Sequence, residues 1–338
     1  MICINKQIII NKITLYILLK LIILYYLIFF IKIKLNYKIL TKRYRKHIPY
    51  KNNFLLSGSP YKKRVCICTL GRNENKYIRE YINHYEKYGV DKIFLYDNNE
   101  INGERFEDVI KDYINIGFVD ILNWRGISKC HHKVMNDCYT RNNENYDWLI
   151  FYDLDEFIHL YNYTNIKQFL NEKKFNKCQI IYLNLICHTD NNLLYYENKS
   201  LSERFPKIVP FNKKGRQLEV KFIIRGNIKN ITINHLHSGN EKLRNCNGFG
   251  NRNKIRKNVF TTEPDYKYFY IDHYYSKSTE EFINKINRGD PFKITKKHYM
   301  HRIEKYYLQS NFTKKKIEMI EKGTGLNLSK YKNLLGIK

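Results

Sequence analysis

From residue 64 onward, short apolar runs alternate with stretches in which apolar side chains recur every three or four positions. "RVCICTL" (64–70) reads as a buried strand. After Gly71 the stretch "NENKYIREYINHYEKYG" sets Tyr77, Ile78, Tyr81, Ile82, Tyr85 and Tyr88 along one helical stripe, with Gly89 to end it. "VDKIFLYDN" predicts a second strand ending at Asp97, "RFEDVIKDYINI" a helix closing at Gly117, and "FVDILNW" a third strand. A helix over His132 to Arg141 then leads into "DWLIFYDLDEF", the fourth strand. Strands joined by helices in this order predict an α/β domain, Rossmann-like, with a mostly parallel sheet and helices on both faces. Ligands of such sheets lie at the carboxyl ends of strands, here after Leu70, Asp97 and Tyr152.

Past residue 160 the rhythm changes. "CQIIYLNLIC" (178–187) and "EVKFIIRG" (219–226) read as strands, and "FYIDHYYSKSTEEFINKINRG" (269–289) runs from a strand into a helix that starts at a Ser278/Glu281 capping box and ends at Gly289. Residues 293–338 read as a basic extension of peripheral helices. At the other end, a short tail (1–12) precedes "ITLYILLKLIILYYLIFFI" (13–31), whose single charge is Lys20; its length matches the roughly 20 residues that cross a bilayer. Lys32, Lys34 and Lys38 follow it in place of a small-residue cleavage site, which predicts an uncleaved anchor. Residues 32–60 form a basic stem ending in "SGSP".

Composition changes this picture little. The chain has 338 residues, 43% of them hydrophobic, enough for a sizeable core. The net charge of +28 would attract polyanions, but it is spread along the chain and not gathered in one arm, so basic drift accounts for most of it. The 30 tyrosines and 19 phenylalanines recur at core spacing and are read as packing. Eight cysteines include no C-x-x-C pair; Cys66 and Cys68 share a strand face and are read as small core residues, and Cys130, His131, His132 and Cys138 lack the spacing of a zinc finger.

The chemistry concentrates in "IFYDLDEFI" (150–158). In an extended backbone Asp153 and Asp155 share a side while Leu154 turns back into the protein. Two carboxylates held that close repel unless something positive lies between them, and hard divalent cations such as Mn²⁺ or Mg²⁺ suit carboxylate oxygen. The plainer alternative is a solvated turn in which both acids cap the next segment.

Four ordered blocks, "TLGRNENKYIREYINHYEKYGVDKIFLYDN", "WLIFYDLDEFI", "HTDNNLLYYENKSLSERF" and "DHYYSKSTEEFINKINRGD", resemble glycosyltransferase family 92 and its relatives. The resemblance covers about residues 62–292 and implies a GT-A fold over 61–292. It also implies a nucleotide-sugar donor, usually UDP-linked, a divalent metal, inversion at the anomeric carbon, and galactosyl transfer in animal members. By the same resemblance Asp153 and Asp155 match the acids that bridge metal and donor diphosphate, and His273 a late histidine that completes the metal shell. Arg72, Asn73 and Glu74 match the block that lines the nucleotide pocket, and Asp97 is placed to accept hydrogen bonds from base or ribose. Inversion requires one base on the acceptor hydroxyl. Asp190 is the expected base, with Glu203 and Glu219 behind it; Lys221 and Arg225 could supply positive charge to phosphates, while any metal role for His235 and His237 is disfavoured.

A metal nuclease or polymerase-like domain would also use paired acids, but the apolar segment 13–31 and the want of a concentrated basic arm speak against a nucleic-acid partner. A third reading is an inactive, membrane-tethered binding module. The acceptor implied is a glycan on protein or lipid. The positive-inside tendency places the long C-terminal part in the cytosol, whereas the resemblance implies a Golgi or ER enzyme with its catalytic part in the lumen; the luminal orientation is the expectation retained.

Overall fold

The structure, a computed structural model, describes residues 63–210, 219–234, 237, 239–252, 266–289, 302–306 and 310–328, all within one compact unit spanning Leu56–Lys338. The expected tail, membrane span and stem (1–60) lie outside the described residues. Among the described residues no helix is long and apolar enough to cross a membrane.

The alternation after residue 64 folds as its periodicity dictates. β1 (Val65–Gly71), α1 (Asn75–Lys87), β2 (Lys92–Asp97), α2 (Glu107–Asn115), β3 (Val119–Asn123), α3 (His131–Asn142) and β4 (Trp148–Ile150) follow in order. Tyr77, Ile78, Tyr81, Ile82 and Tyr85 are the buried face of α1, and Gly89 leaves the helix at φ +75°. Val65 and Ile67 pack toward α1 and α2, whereas Cys66 and Cys68 face α3, so both sheet faces are covered. Cys68 is more than a small core residue: it forms a disulfide with Cys138 of α3, and a second disulfide joins Cys178 to Cys246.

The sheet is mixed: among the described residues five parallel pairings, in keeping with the mostly parallel expectation, are interrupted by three antiparallel ones. Its order is β3-β2-β1-β4-β7-β6-β9-β5, with β5 Glu156–Leu160, β6 Ile180–Cys187, β7 Val220–Arg225 and β9 Phe269–His273; β8 (Asn245–Asn247) pairs β6 beside β9. The four strands β3 to β4 are parallel. β7 then lies antiparallel to both β4 and β6, and β5 antiparallel to β9. Parallel pairing needs a crossover element, and after β4 the only helix before β6 of more than one turn is the five-residue α4 (Ile166–Leu170).

β4 and β5 are separated in the sheet by β7, β6 and β9, yet in sequence only residues 151–155 lie between them. Even fully extended, that link reaches only about 20 Å. Four flat strand spacings would need about 19 Å, and the link also contains a turn, so the sheet curls into a half-barrel with the link across its mouth. Later elements close one side. α5 (Leu201–Arg204) is short; α6 (Thr279–Asn287) begins at the Ser278/Glu281 capping box read from the sequence. The helical residues 302–306 and α7 (Lys314–Thr324) share a core with α6 built on Phe282, Ile286, Ile303, Tyr306 and Ile320, apart from the clusters that flank the sheet.

Candidate active site

The link carrying the acids is a turn and not the extended strand expected. Glu156 N–H donates to Asp153 O (3.0 Å), and Asp153 N–H donates back to the Glu156 carboxylate (3.0 Å). Leu154 does turn inward, at 3% exposure, against the Gly71 end of β1. The turn therefore presents three acids to one cleft of about 230 Å³: Asp153, with 37% of its side chain exposed, Asp155 at 9%, and Glu156 at 0%.

Strand register brings His273 to them. As the last residue of β9 it lies opposite Glu156 in β5 and Cys187 in β6. Its Nε2 is 3.7 Å from Asp155 Oδ1 and 3.9 Å from Glu156 Oε1, and its Nδ1 is 4.0 Å from Cys187 Sγ. Burial keeps the imidazole neutral, its pKa down to about 3 despite the pull of Asp155, so a nitrogen lone pair is available to a cation. Ligand atoms of Asp155, Glu156 and His273 all lie within 4.8 Å of one another. Glu156 Oε1 is buried and accepts no hydrogen bond among the described residues. An orphaned carboxylate oxygen beside a second carboxylate and a neutral imidazole fits a divalent cation.

Basic side chains surround the acids. Lys221, on β7 and 2% exposed, bridges Asp153 (2.6 Å) and Glu156 (3.2 Å). Lys285 of α6 reaches Asp155 (3.0 Å), and His131 at the start of α3 stands 3.7 Å from Asp153. Burial alone would raise the pKa of both aspartates, but the lysines and histidines around them win and hold both carboxyls well below the usual range. Glu156 goes the other way: burial pushes it well above the usual range, against the pull of Lys221. Lys285 is lowered to about 8 by burial, with Asp155 opposing and Lys277 and Arg288 adding to the fall.

The other expected residues divide. Arg72 and Glu74 line the cleft; Glu74 is gripped by Lys277 (3.1 Å) and Arg288 (2.5 Å). Asn73 takes a left-handed conformation (φ 53°), donates its N–H to Asn99 Oδ1 (2.7 Å) and faces an adjoining cleft. Asp97 is buried, accepting from Arg125 Nε and Asn99 N–H, and its neighbour Asn98 is the one in the cleft wall. Arg225 is spent on the Phe175 and Cys178 carbonyls at the far end of β7. Glu203 closes a capping box with Ser200, whereas Glu219 lies beside His273 and Cys187 and pairs with Lys305 (3.3 Å). His237 lines the cleft; His235 is outside the described residues.

Asp190 is not with them. It is 1% exposed, with one oxygen taken by the Lys316 ammonium and the Tyr306 hydroxyl (2.9 Å) and the other by the Asn192 N–H (3.1 Å). An acid so enclosed has the surroundings of a structural anchor and not those of the base expected of it. Conversely, the sequence reading passes over Glu156, Lys285 and Arg288 and weighs His131 only for a zinc-finger pattern. Glu156 adjoins the acid pair in sequence, and Lys285 and Arg288 stand three apart on a helix that was drawn, a spacing that puts both on one face.

A cleft at strand ends, floored by carboxylates and an imidazole and walled by lysine and arginine, defines an α/β protein equipped to hold a divalent cation and an anion together. The family model of glycosyltransferase family 92 matches residues 61–300, and the chain belongs to that family. Among similar curated proteins, a glycosyltransferase family 92 protein of Ricinus communis is 27% identical over 126 residues, 37% of this chain and 22% of that protein. One of Oryza sativa subsp. japonica is 29% identical over 126 residues, 37% of this chain and 21% of that protein. The chain thus spans about a fifth of the length of these relatives. Similar solved structures include S. aureus TarS 1–349 in complex with UDP, 13% identical, covering 80% of this chain and 75% of that one, TM-score 0.34. Another is the mannosyltransferase PcManGT from Pyrobaculum calidifontis with GDP-Man and Mn²⁺, 10% identical, covering 45% and 43%, TM-score 0.29.

Proposed function

We propose that the protein is a GT-A type glycosyltransferase that moves a hexosyl group, galactose among the candidates, from a nucleotide-sugar donor, UDP-linked, to a hydroxyl of a glycan on protein or lipid. The observation that carries this reading is the orphaned Glu156 oxygen beside Asp155 and His273 in a cleft of a family 92 chain. Asp155, Glu156 and His273 would hold Mn²⁺ or Mg²⁺, with Asp153 at the open side. Bound there, the cation supplies Lewis-acid neutralisation of the diphosphate as it departs. Arg72 and Glu74 bound the cleft on the side of β1, where the nucleotide would lie, and Asn98, whose amide donates to the Trp124 and Ile127 carbonyls, lines the wall there in place of Asp97. Lys221 holds Asp153 and Glu156 in place from beneath. For inversion we assign the base to Glu219, the candidate acid that lies beside His273.

The test is a panel of nucleotide sugars with Mn²⁺ or Mg²⁺, following release of nucleoside diphosphate and the mass of acceptor products, with Glu156→Gln and His273→Ala alongside. Cation-dependent turnover of one donor, lost in both variants, is expected; a panel on which neither cation produces turnover or donor binding overturns the proposal.

We place the protein in the Golgi or ER, anchored by residues 13–31 with the catalytic part in the lumen. Two disulfides favour an oxidising compartment, and Asn162, Asn198 and Asn230, each in an N-x-S/T sequon, are exposed. A glycosidase-sensitive mobility shift of the cellular protein is the expected result; a chain without glycan contradicts the luminal placement.

A further inference from the structure

The acids of the cleft are neutralised by the chain itself, and the cation that serves Asp155 is in a position to leave. Lys285 Nζ lies 3.0 Å from Asp155 Oδ2, 3.2 Å from the Tyr275 carbonyl and 4.0 Å from the centroid of the Tyr275 ring. A dication among Asp155, Glu156 and His273 would claim the same carboxylate and set two positive charges beside this ammonium. The backbone beneath it is pinned, because Arg302 donates to the Lys285 carbonyl (2.8 Å) and to that of Gly289 (3.4 Å). The four-carbon lysine stem can therefore swing without moving α6.

The direction of the swing follows from charge. Lysine and arginine in the cleft lining number five against four acids, so a dication leaves a positive excess that a ligand bearing two or three negative charges would offset. Arg288, the C-cap of α6 three residues on, faces the same cleft from its position on Glu74 and the Arg72 carbonyl. We propose that Lys285 is an exchangeable counter-ion: it holds Asp155 until a divalent cation binds, then transfers to the diphosphate of the nucleotide ligand, where Arg288 joins it. The inference rests on the cleft being the nucleotide and cation site proposed above.

The experiment uses the full chain with Lys285→Met, which keeps the stem and removes the charge, and Lys285→Arg. Mn²⁺ binding is read from the electron paramagnetic resonance of unbound Mn²⁺, and UDP binding from calorimetry with and without Mn²⁺. Lys285→Met is expected to bind Mn²⁺ alone about tenfold more tightly, and UDP in the presence of Mn²⁺ about tenfold more weakly, the change expected from one charged hydrogen bond. Lys285→Arg should recover UDP binding. A structural role would move both affinities in the same direction. Unchanged Mn²⁺ affinity, or UDP weakened equally with and without Mn²⁺, overturns the exchange while leaving the nucleotide reading intact. A wild-type chain that binds neither Mn²⁺ nor UDP overturns both.

Discussion

Replacing Asp190 is expected to unfold the protein before it affects any chemical step. Asp190 and Lys316 each expose 1% of the side chain, and the ammonium has Asn192 Oδ1 (3.2 Å) as its other partner. Asp190→Ala leaves that ammonium buried with a single neutral acceptor among the described residues, a loss of about 3–5 kcal/mol on the scale of broken buried ion pairs. Lys316→Met leaves a carboxylate that still accepts from Tyr306 and the Asn192 N–H, so its cost falls at the lower end of that range. In a domain of this size such losses correspond to a fall in Tm of about 10 °C. Removing both charges, as in Asp190→Leu with Lys316→Met, should restore much of the stability and give a coupling of about 2–3 kcal/mol.

Urea unfolding followed by the fluorescence of Trp124 and Trp148 measures each corner of the cycle. The consequence extends to the cleft, because Tyr306 also bonds Thr279 at the first turn of α6 (3.1 Å) and stacks on Phe282 (4.0 Å). Nucleotide affinity should weaken together with stability. An Asp190→Asn protein that unfolds within about 0.5 kcal/mol of wild type yet transfers no sugar would refute this reasoning and return Asp190 to the role of base.

Each disulfide closes a loop of about 70 residues (separations 70 and 68), so Cys68→Ser with Cys138→Ser should cost about 4 kcal/mol. Thiol titration of the denatured, unreduced protein should find these four cysteines blocked. His84, packed by Tyr85, Tyr88 and Phe157, has its pKa lowered to about 4 by burial, against the hydrogen bond to Ile158 O. A base held neutral in this way contributes stability that is full above its unfolded pKa of about 6.5 and is lost as pH falls through about 4. Urea midpoints at pH 7, 5.5 and 4.5 should therefore drop less steeply in His84→Gln than in wild type. A Cβ at Gly71 would come within 2.5 Å of the Phe106 ring and 2.9 Å of Leu154 Cδ1, so Gly71→Ala should cost about 1–3 kcal/mol and displace the acid turn. Weakened Mn²⁺ binding in protein that remains folded is the measurement that checks it.

Local order was legible in the sequence and long-range order was not. The α1 stripe and the Ser278/Glu281 cap depend on neighbours three or four residues away, and both appear as read. The placement of β7 between β4 and β6 depends on backbone pairing that any apolar strand could offer. Cys68 and Cys138 lie 70 residues apart with no spacing rule to join them. The acid turn was read as a strand end because its apolar lead, Ile150 to Tyr152, is strand-like; only three strands intervening between β4 and β5 force the chain to bend there. Asp190 looked available because its partner lies 126 residues downstream, on a helix read as peripheral.

The acid turn also joins two halves of the fold, and this changes how its residues can be tested. Its charges are met by Lys221 from β7 and Lys285 from α6, elements that follow it by 68 and 130 residues. Asp155→Asn would strip the partner from an ammonium that is only 14% exposed, so lost activity there would be mixed with lost stability. Asp153 differs. With 37% of its side chain in solvent, its amide replacement leaves Lys221 still paired with Glu156 at 3.2 Å. Asp153→Asn should therefore lower the urea midpoint less than Asp155→Asn does, and a fall in cation binding or transfer in protein that remains folded belongs to the chemistry of the cleft.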